Sequence, residues 1–318
     1  MKTILVALPV EQRHKDMLEA AAPGWEFLYA LPEQVSAEQV AGAEVIIGNI
    51  APALIAGASE LRLFQLNSAG ADAYLKPGVL REDVLLCNAT GAYSKAVAEH
   101  GLAMTLALQK KLPLYRDGQN AHVWRARGTV TSIADATVLV VGLGDIGLHY
   151  ARMAKALGAT VVGLKRRPGE KPEGVDELYT TDRLDELLPR ADVIFSVLPG
   201  TPETTHLYTA ERFRLMKRSA VFVNCGRGSA VETEALRRAL ADGEIAAAAV
   251  DVTEDEPLPP DSPLWDLENL LITPHVAGGY FLPETFERIV GIAAKNLALW
   301  LDGKTPSTVV DRKTGYKK

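Results

Sequence analysis

An apolar run that leads directly into Gly-x-Gly-x-x-Gly limits the folds open to this chain. Val138–Val141 form the run, and Gly142, Gly144 and Gly147 complete the pattern. In a strand–turn–helix unit the first glycine permits a tight turn, the second lets the backbone approach a pyrophosphate, and the third allows close helix–strand packing. A helix-compatible segment, Leu148–Leu157, and another apolar run come next, as a dinucleotide site requires. This context favours a dinucleotide-binding unit over a glycine-rich turn without a ligand.

The same alternation of apolar runs and helix-compatible segments extends over most of the chain. Uninterrupted short apolar runs are typical of buried parallel strands, because helices cover both faces of a parallel sheet. The predicted strands are Thr3–Leu8, Glu26–Tyr29, Glu44–Gly48, Arg62–Leu66, Val84–Cys87, Val138–Gly142, Thr160–Leu164, Val193–Val197, Ala220–Asn224, Ala247–Asp251 and Leu270–Thr273. A domain averages roughly 150 residues, so the 318 residues predict two α/β units in series.

Two longer helices are predicted as well. Ser94–Leu112 is apolar nearly all round at its centre, which indicates burial on several sides, between domains or between subunits. An irregular segment, Pro113–Thr137, is expected to follow it. Pro283–Leu301 carries apolar residues on one face and is followed by Gly303, so it is expected to form an amphipathic helix.

The residues after the second strand of the glycine unit indicate which dinucleotide is bound. An acidic residue about 20 positions after the glycines would bind the ribose hydroxyls of NAD. The chain instead has Lys165, Arg166 and Arg167, with no carboxylate before Glu170. These cations can pair with a 2′-phosphate, although a solvated basic turn is the alternative. We therefore favour NADP(H) as the cofactor, with NAD(H) possible.

Composition and charge exclude several other classes of protein. Hydrophobic residues make up 47% and charged residues 23% of the chain, which is typical of soluble globular proteins and not of disordered ones. The net charge of −6 gives no basic excess, so no nucleic-acid partner is predicted. No apolar stretch approaches the ~18 residues of a membrane span, and the charged block Glu11–Asp16 argues against a signal peptide.

Cysteine and histidine usage predicts neither a disulfide framework nor a metal site. The chain has 2 cysteines and 6 histidines, and the histidines lack paired ligand spacing. A reducing, cytoplasmic compartment is therefore expected.

Three charged residues follow predicted strands of the second unit: Arg227, Glu256 and His275. Ligands bind at the carboxyl ends of strands in open α/β sheets, so these side chains are expected to converge there. Arg227 can hold a carboxylate and polarise a carbonyl, His275 can exchange a proton near neutral pH, and Glu256 can orient the imidazole and favour its charged form. This set fits hydride transfer at a carbon next to a carboxylate. Taken singly, each residue could instead be an ordinary loop residue.

In these motifs the chain resembles the D-isomer-specific 2-hydroxyacid dehydrogenases over nearly its whole length. The matching segments are Val97–His100, Gly142–Gly147, Leu198–Thr204, Asn224–Gly228, Asp251–Pro257 and Thr273–His275. The resemblance implies that Arg227, Glu256 and His275 form the catalytic set. It implies a substrate-binding loop at Asn67, Ser68, Ala69 and Gly70, whose backbone N–H groups would meet the substrate carboxylate. The implied cofactor contacts, besides the Lys165–Arg167 turn, are Gly142, Gly144, Asp145, Ile146, Gly147, Leu198, Pro199, Thr204, Cys225, Gly226, Asp251 and Gly278.

The resemblance also implies two Rossmann-like, doubly wound parallel-sheet domains. Residues 1–95 plus 284–318 would form a flavodoxin-like substrate domain, and residues 96–283 an inserted dinucleotide-binding domain. A homodimer formed through the cofactor domains is usual in the family. Two positions depart from its pattern: Ser68 stands where a glycine is common, and Lys165 replaces the usual Asp, as in relatives similar to glyoxylate/hydroxypyruvate reductases.

The predicted protein is thus a cytoplasmic, NADP(H)-preferring oxidoreductase that reduces small 2-ketoacids such as glyoxylate or hydroxypyruvate. One alternative is phosphoglycerate dehydrogenase-like activity, with Arg125 or Arg127 available for a phosphate. Another is a non-catalytic nucleotide-sensing protein similar to corepressors of this fold. No regulatory extension is expected after Lys318.

Four aromatic residues lie near segments that border the substrate site of the family: Tyr93, Trp124, Tyr280 and Phe281. They would restrict the substrate side chain if they line the pocket, and the alternative is that they belong to a core or an interface.

Overall fold

The computed structural model of the protein describes residues 2–315, which divide into two compact units. The first unit comprises the residues up to Tyr93 together with those from Tyr280 onward, and the second comprises Ser94–Gly279. The strands are β1 (Thr3–Ala7), β2 (Glu26–Ala30), β3 (Val45–Ile47), β4 (Leu63–Gln65), β5 (Leu85–Cys87), β6 (Thr137–Val141), β7 (Thr160–Lys165), β8 (Glu177–Thr180), β9 (Val193–Ser196), β10 (Val221–Asn224), β11 (Ala247–Val250) and β12 (Leu270–Ile272). The helices are α1 (Gln12–Ala21), α2 (Ala37–Gly42), α3 (Pro52–Ile55), α4 (Ser94–Gln109), α5 (Leu112–Asn120), α6 (Asp145–Ala156), α7 (Leu184–Leu187), α8 (Ala210–Leu215), α9 (Thr233–Ala241) and α10 (Pro283–Leu301).

The first unit is a parallel sheet with the strand order β2-β1-β3-β4-β5. This is the flavodoxin-like order of a doubly wound fold. Successive side chains of a strand point to opposite faces, so Ile4 and Val6 of β1 pack in one apolar core and Leu5 and Ala7 in another. Helix α10 contributes Val290, among others, to the core that contains Ile4.

The second unit is a parallel sheet with the order β12-β11-β10-β9-β6-β7-β8. Counted from β6, this is the 3-2-1-4-5-6 order of dinucleotide-binding folds with one further strand. The strand order reverses between β6 and β9, and ligands of such sheets bind at this switch point. The predicted fold class, two doubly wound parallel α/β sheets, is confirmed.

Three local features differ from the sequence-based expectations. The predicted helix Ser94–Leu112 ends at Gln109, because Lys111 adopts a left-handed φ of 57°. Helix α5 then begins, with Pro113 in its first turn, where an irregular segment was predicted. Strand β8 was not predicted, because it is a half-buried edge strand without an apolar run.

Helix α4 packs within the second unit, against α6 and the strands β10 and β11. A Cβ atom at Gly101 would lie 2.4 Å from the Phe195 ring, so the helix approaches the sheet very closely at this position. Packing within its own unit therefore buries the face of α4 that carries Gly101, Met104 and Leu108, whereas Ala103 on another face is exposed.

Candidate active site

The three motif glycines occupy the positions that close packing of a dinucleotide unit requires. Gly142 has a φ of 105°, and a Cβ atom there would lie 2.8 Å from the carbonyl oxygen of Val197. At Gly147 a Cβ atom would lie 2.1 Å from the carbonyl oxygen of Gly142. A Cβ atom at Gly144 would meet no atom within 4 Å, so the backbone there faces open space. The turn is thus tight at its first and third glycines and accessible at its second.

Helix α6 begins directly after this accessible glycine. Asp145 and Ile146 occupy its first turn, and Gly144 precedes it without a capping side chain. The first N–H groups of a helix have no acceptor within the helix, and they attract anions together with the helix dipole. The turn therefore fits the pyrophosphate of a dinucleotide. The Asp145 Oδ2 atom is buried and accepts no hydrogen bond within residues 2–315.

The cations predicted to select the nucleotide lie at the end of the neighbouring strand. Strand β7 is paired with β6 and ends at Lys165, whose Nζ atom is 3.3 Å from the carbonyl oxygen of Glu170. Lys165 is half-buried, and Arg166 and Arg167 are exposed. Because β6 and β7 are parallel, this basic turn and the glycine turn lie at the same edge of the sheet.

The loops after β9 and β10 form an adjoining part of this edge. A Cβ atom at Gly226 would lie 2.6 Å from backbone atoms of Leu198, so the two loops are in direct backbone contact. The hydroxyl of Thr204 is buried and donates to the carbonyl of Pro199. Burial raises the pKa of the Cys225 thiol, which therefore stays protonated and is no nucleophile.

The side chains of His275 and Glu256 are in hydrogen-bond contact at the carboxyl end of the same sheet. The Nδ1 atom of His275 is 2.8 Å from Oε2 of Glu256. The other carboxylate oxygen of Glu256 accepts a hydrogen bond of 3.1 Å from the Thr253 N–H group. The side chains of His275 and Glu256 are 50% and 38% exposed, so both remain accessible to a small molecule.

The turn that carries His275 is held by Asp251. His275 adopts a left-handed φ of 52°, which is uncommon for a residue other than glycine. Its N–H group donates to the carbonyl of Asp251 at 2.8 Å. The Asp251 carboxylate is 3% exposed and accepts hydrogen bonds from the N–H groups of Val276 and Ala277 at 3.0 and 3.1 Å. Gly278 follows directly, so this predicted cofactor-binding segment begins at an ordered turn.

Arg227 lies in the loop after β10, next to the loop that carries Glu256. Its Nη1 atom donates to the carbonyl of Gly226 at 2.9 Å. A Cβ atom at Gly228 would lie 1.9 Å from the carbonyl oxygen of Thr253, so the two loops touch through their backbones. The structure thus pairs Glu256 with His275 directly and places Arg227 in the adjoining loop.

The predicted substrate loop, Asn67–Gly70, follows β4 in the first unit. The Ser68 hydroxyl donates to the carbonyl of Gly70, and the Asn88 side chain donates to the carbonyl of Ala69. Within residues 2–315, the Ser68, Ala69 and Gly70 N–H groups donate no hydrogen bond to a backbone carbonyl. Three successive N–H groups of this kind suit an anion such as a carboxylate.

Sequence reasoning missed one support of this loop. The N–H group of Asn49 donates to Asn67 Oδ1, the N–H group of Asn67 donates to Asn49 Oδ1, and the Asn49 side-chain amide donates to the Ser68 hydroxyl. The sequence feature that could have identified Asn49 is its position directly after a predicted strand. Of the aromatic residues, Tyr93 and Tyr280 hydrogen-bond to Asn67, while Trp124 and Phe281 are exposed.

Comparison with known proteins agrees with this geometry. The family model described as "D-isomer specific 2-hydroxyacid dehydrogenase, NAD binding domain" matches residues 102–277. The glyoxylate reductase of Thermofilum pendens is 33% identical over 262 residues, which cover 80% of this chain and 76% of that protein.

Solved structures of the family superpose on nearly the whole chain. A D-isomer specific 2-hydroxyacid dehydrogenase family protein from Aeromonas salmonicida has a TM-score of 0.85 and 34% identity, and the match covers 98% of this chain and 99% of that one. An NADPH-dependent glyoxylate/hydroxypyruvate reductase from Sinorhizobium meliloti, solved with NADP and sulfate, has a TM-score of 0.84 and 29% identity, over 99% of this chain and all of that one (100%).

The dinucleotide fold and the acid–base pair at its edge define an oxidoreductase. The chain belongs to the D-isomer specific 2-hydroxyacid dehydrogenase family. It is accordingly an NAD(P)-dependent enzyme that transfers a hydride between a nicotinamide and C2 of a 2-ketoacid or 2-hydroxyacid, as the sequence predicted. Within residues 2–315, no helix has the length and apolarity of a membrane span, and no cluster of three potential metal ligands occurs.

Proposed function

We propose that this enzyme is an NADPH-preferring reductase of small 2-ketoacids, of the glyoxylate/hydroxypyruvate type. The observation that carries the proposal is the 2.8 Å contact between His275 and Glu256 at the carboxyl edge of the dinucleotide sheet. The glyoxylate reductase and the glyoxylate/hydroxypyruvate reductase among its relatives support this substrate class.

The contact between His275 and Glu256 indicates which atom of His275 transfers the proton. Glu256 engages Nδ1, and Nε2 has no hydrogen-bond partner in the part of the chain that the structure describes. Nε2–H is therefore the group that donates a proton to the forming alkoxide, while the Glu256 carboxylate stabilises the imidazolium. The nicotinamide, when bound, supplies the hydride.

Two anion-binding elements are proposed for the substrate carboxylate and carbonyl. The planar guanidinium of Arg227 suits a carboxylate and can polarise a neighbouring carbonyl. The free N–H groups of Ser68–Gly70 suit a carboxylate in the same way. We accordingly propose that residues 1–95 plus 284–318 form the substrate domain and residues 96–283 the cofactor domain, with residue 1 and residues 316–318 outside the described residues.

Preference for NADPH is supported by charge at the end of β7. Lys165, Arg166 and Arg167 offer three cations where an NAD-binding sheet of this type carries a carboxylate. A 2′-phosphate would form charge-assisted hydrogen bonds there. We keep the remaining predicted positions as proposed cofactor contacts: the glycine turn, the loops after β9 and β10, Asp251 and Gly278.

The test is the oxidation of NADPH and NADH, measured in parallel with glyoxylate, hydroxypyruvate, pyruvate and 3-phosphohydroxypyruvate. We expect the highest kcat/KM for NADPH with glyoxylate or hydroxypyruvate. Activity with NADH alone would contradict the cofactor proposal, and fastest turnover of the phosphorylated ketoacid would favour the phosphoglycerate dehydrogenase alternative. No turnover of any ketoacid, with nucleotide still bound, would favour a nucleotide-sensing role.

One variant of the basic turn and one control variant outside it test the cofactor preference. Lys165→Asp is expected to lower kcat/KM for NADPH by about 10- to 100-fold, because a charge-assisted hydrogen bond is lost and a carboxylate faces the 2′-phosphate. Lys171→Gln removes a nearby exposed cation, whose Nζ atom contacts the carbonyl of Asp176, and should leave the preference unchanged. Equal effects of both variants would mean that Lys165 contributes only positive charge and makes no specific contact with the 2′-phosphate.

A homodimer is also proposed, and its support is an exposed apolar segment. The large apolar side chains that are exposed on α5 and the segment after it are Leu112, Tyr115, Val123, Trp124 and Val130. Several large apolar side chains exposed in one segment are compatible with an interface. Sedimentation velocity is expected to give twice the 34.3 kDa of one chain, and Trp124→Ser should weaken the association; a monomer at micromolar concentration would contradict the proposal.

Two free, buried cysteines support a cytoplasmic location.

A further inference from the structure

His100, in the Val97–His100 motif, has no role in the proposed reaction, yet it contacts the strand end that leads to His275. It lies on α4, and its Nε2 atom is 3.0 Å from the hydroxyl oxygen of Thr273. The Thr273 hydroxyl is in turn 2.5 Å from Oδ1 of Asp251, and His100 Nε2 is 3.7 Å from the same oxygen. All three residues belong to the second unit.

The direction of these hydrogen bonds follows from the donors available. Asp251 is buried and faces two backbone N–H groups, so its carboxylate acts as an acceptor and the Thr273 hydroxyl donates its single proton to Oδ1. The Thr273 oxygen can then only accept from His100. Nε2 of His100 must therefore carry a hydrogen, which fixes either the Nε2–H tautomer or the imidazolium.

The chain of bonds ends at the turn that places the proton donor. Asp251 receives the Thr273 hydroxyl and the N–H groups of Val276 and Ala277 through its carboxylate, and the N–H group of His275 through its carbonyl. These bonds surround the left-handed His275 on both sides. Cys225 also lies near Asp251, and burial raises the pKa of its thiol, so the hydrogen bond that reaches Asp251 through Thr273 comes from His100.

We propose that His100 is a positioning residue for the catalytic turn. Its Nε2–H group orients the Thr273 hydroxyl toward Asp251, and Asp251 thereby holds the turn that carries His275 in its left-handed conformation. This inference rests on the proposed function, in which His275 donates the proton.

Replacing His100 by Leu tests the proposal, because the effect on kcat can be compared with the effect on the Kd for NADPH. Leu is similar in size but donates no hydrogen bond, so the turn loses the donor that orders Thr273. We expect kcat to fall by about 10²-fold, which is the order of effect of a misplacement near 1 Å, whereas the Kd for NADPH, to which the glycine turn and the basic turn also contribute, should change by a smaller factor. His100→Gln should restore most of kcat, because its amide N–H can reach the same hydroxyl.

Matched variants separate this role from a loss of stability. Thr273→Val should lower kcat as much as His100→Leu, and the double variant should show no further loss, because both changes break one chain of bonds. Thr105 lies on α4, as His100 does; Thr105→Val removes its hydrogen bonds to the carbonyl of Gly101 and to the Tyr150 hydroxyl of α6 and should lower Tm without lowering kcat. Full kcat in His100→Leu, or additive losses in the double variant, would overturn the proposal.

A measurement independent of turnover keeps this inference distinct from the proposed function. Nitrogen NMR of ¹⁵N-histidine-labelled protein, with the His100 signal assigned by its loss in His100→Gln, should show a protonated Nε2. The His275 signals should shift in His100→Leu. A His100 ring protonated only at Nδ1, or unchanged His275 signals, would overturn the inference even in an active enzyme. If the expected spectra are observed but the enzyme does not turn over ketoacids, the proposed function fails and the inference about His100 stands.

Discussion

Replacing His275 by Ala is expected to lower kcat by about 10²- to 10⁴-fold, the range in which a positioned general acid contributes. The imidazole is the group paired with Glu256 at 2.8 Å, and its loss leaves the forming alkoxide without a proton donor. The glycine turn and the basic turn lie in other loops, so the Kd for NADPH should remain close to that of the unchanged enzyme. Steady-state kinetics and fluorescence titration of NADPH measure the two quantities separately.

Two further variants show whether the histidine and the carboxylate act as a unit. Glu256→Ala should also lower kcat, because the His275 ring loses the partner that orients it and stabilises its charge. The double variant should be about as slow as His275→Ala alone, since residues that act together give non-additive losses. Near-normal turnover of His275→Ala would remove His275 from the mechanism, whatever the behaviour of Glu256.

The second large effect is expected from the glycine turn, where two substitutions separate folding from binding. Gly147→Ala would place a Cβ atom 2.1 Å from a backbone oxygen, so helix and strand must move apart. We expect a loss of about 1–3 kcal/mol in the free energy of unfolding, the usual cost of overpacking, together with a loss of NADPH affinity. Differential scanning calorimetry and NADPH titration measure both.

Gly144→Ala is the matched control, because the protein itself leaves room for the added methyl group. Its Tm should be unchanged. Its NADPH affinity should nevertheless fall by at least about tenfold, which corresponds to ~1.4 kcal/mol, because the methyl group occupies the space through which the backbone approaches the pyrophosphate. Unchanged affinity in Gly144→Ala would mean that the turn has only a packing role.

Much of the fold could be predicted because its strands are continuous apolar runs. Burial on both faces makes such runs visible in a single sequence, and the spacing of the glycines located the turn after β6. Helix α5 was missed because its start depends on the left-handed conformation of Lys111. No residue preference predicts that conformation for a lysine. Strand β8 was missed because an edge strand needs few apolar residues.

The charged residues of the proposed site could be named from the sequence, whereas the contacts that support them could not. Arg227, Glu256 and His275 were found from residue type and position after strands. The contact between His100 and Thr273 joins residues 173 positions apart, and the role of Asp251 depends on donors from a following turn. Such contacts depend on the packing of α4 against the sheet, so they cannot be predicted from the spacing of residues along the chain.

The direct backbone contacts between the strand-end loops bear on the energetics of each catalytic cycle. Leu198 against Gly226 and Gly228 against Thr253 leave no side chain at the points of contact that could change rotamer. The loops that carry Arg227 and Glu256 are therefore ordered when the sheet folds. The entropy cost of bringing the loops of Arg227 and Glu256 together is therefore incurred at folding, and little reorganisation of these two loops is expected to add to the barrier of each turnover.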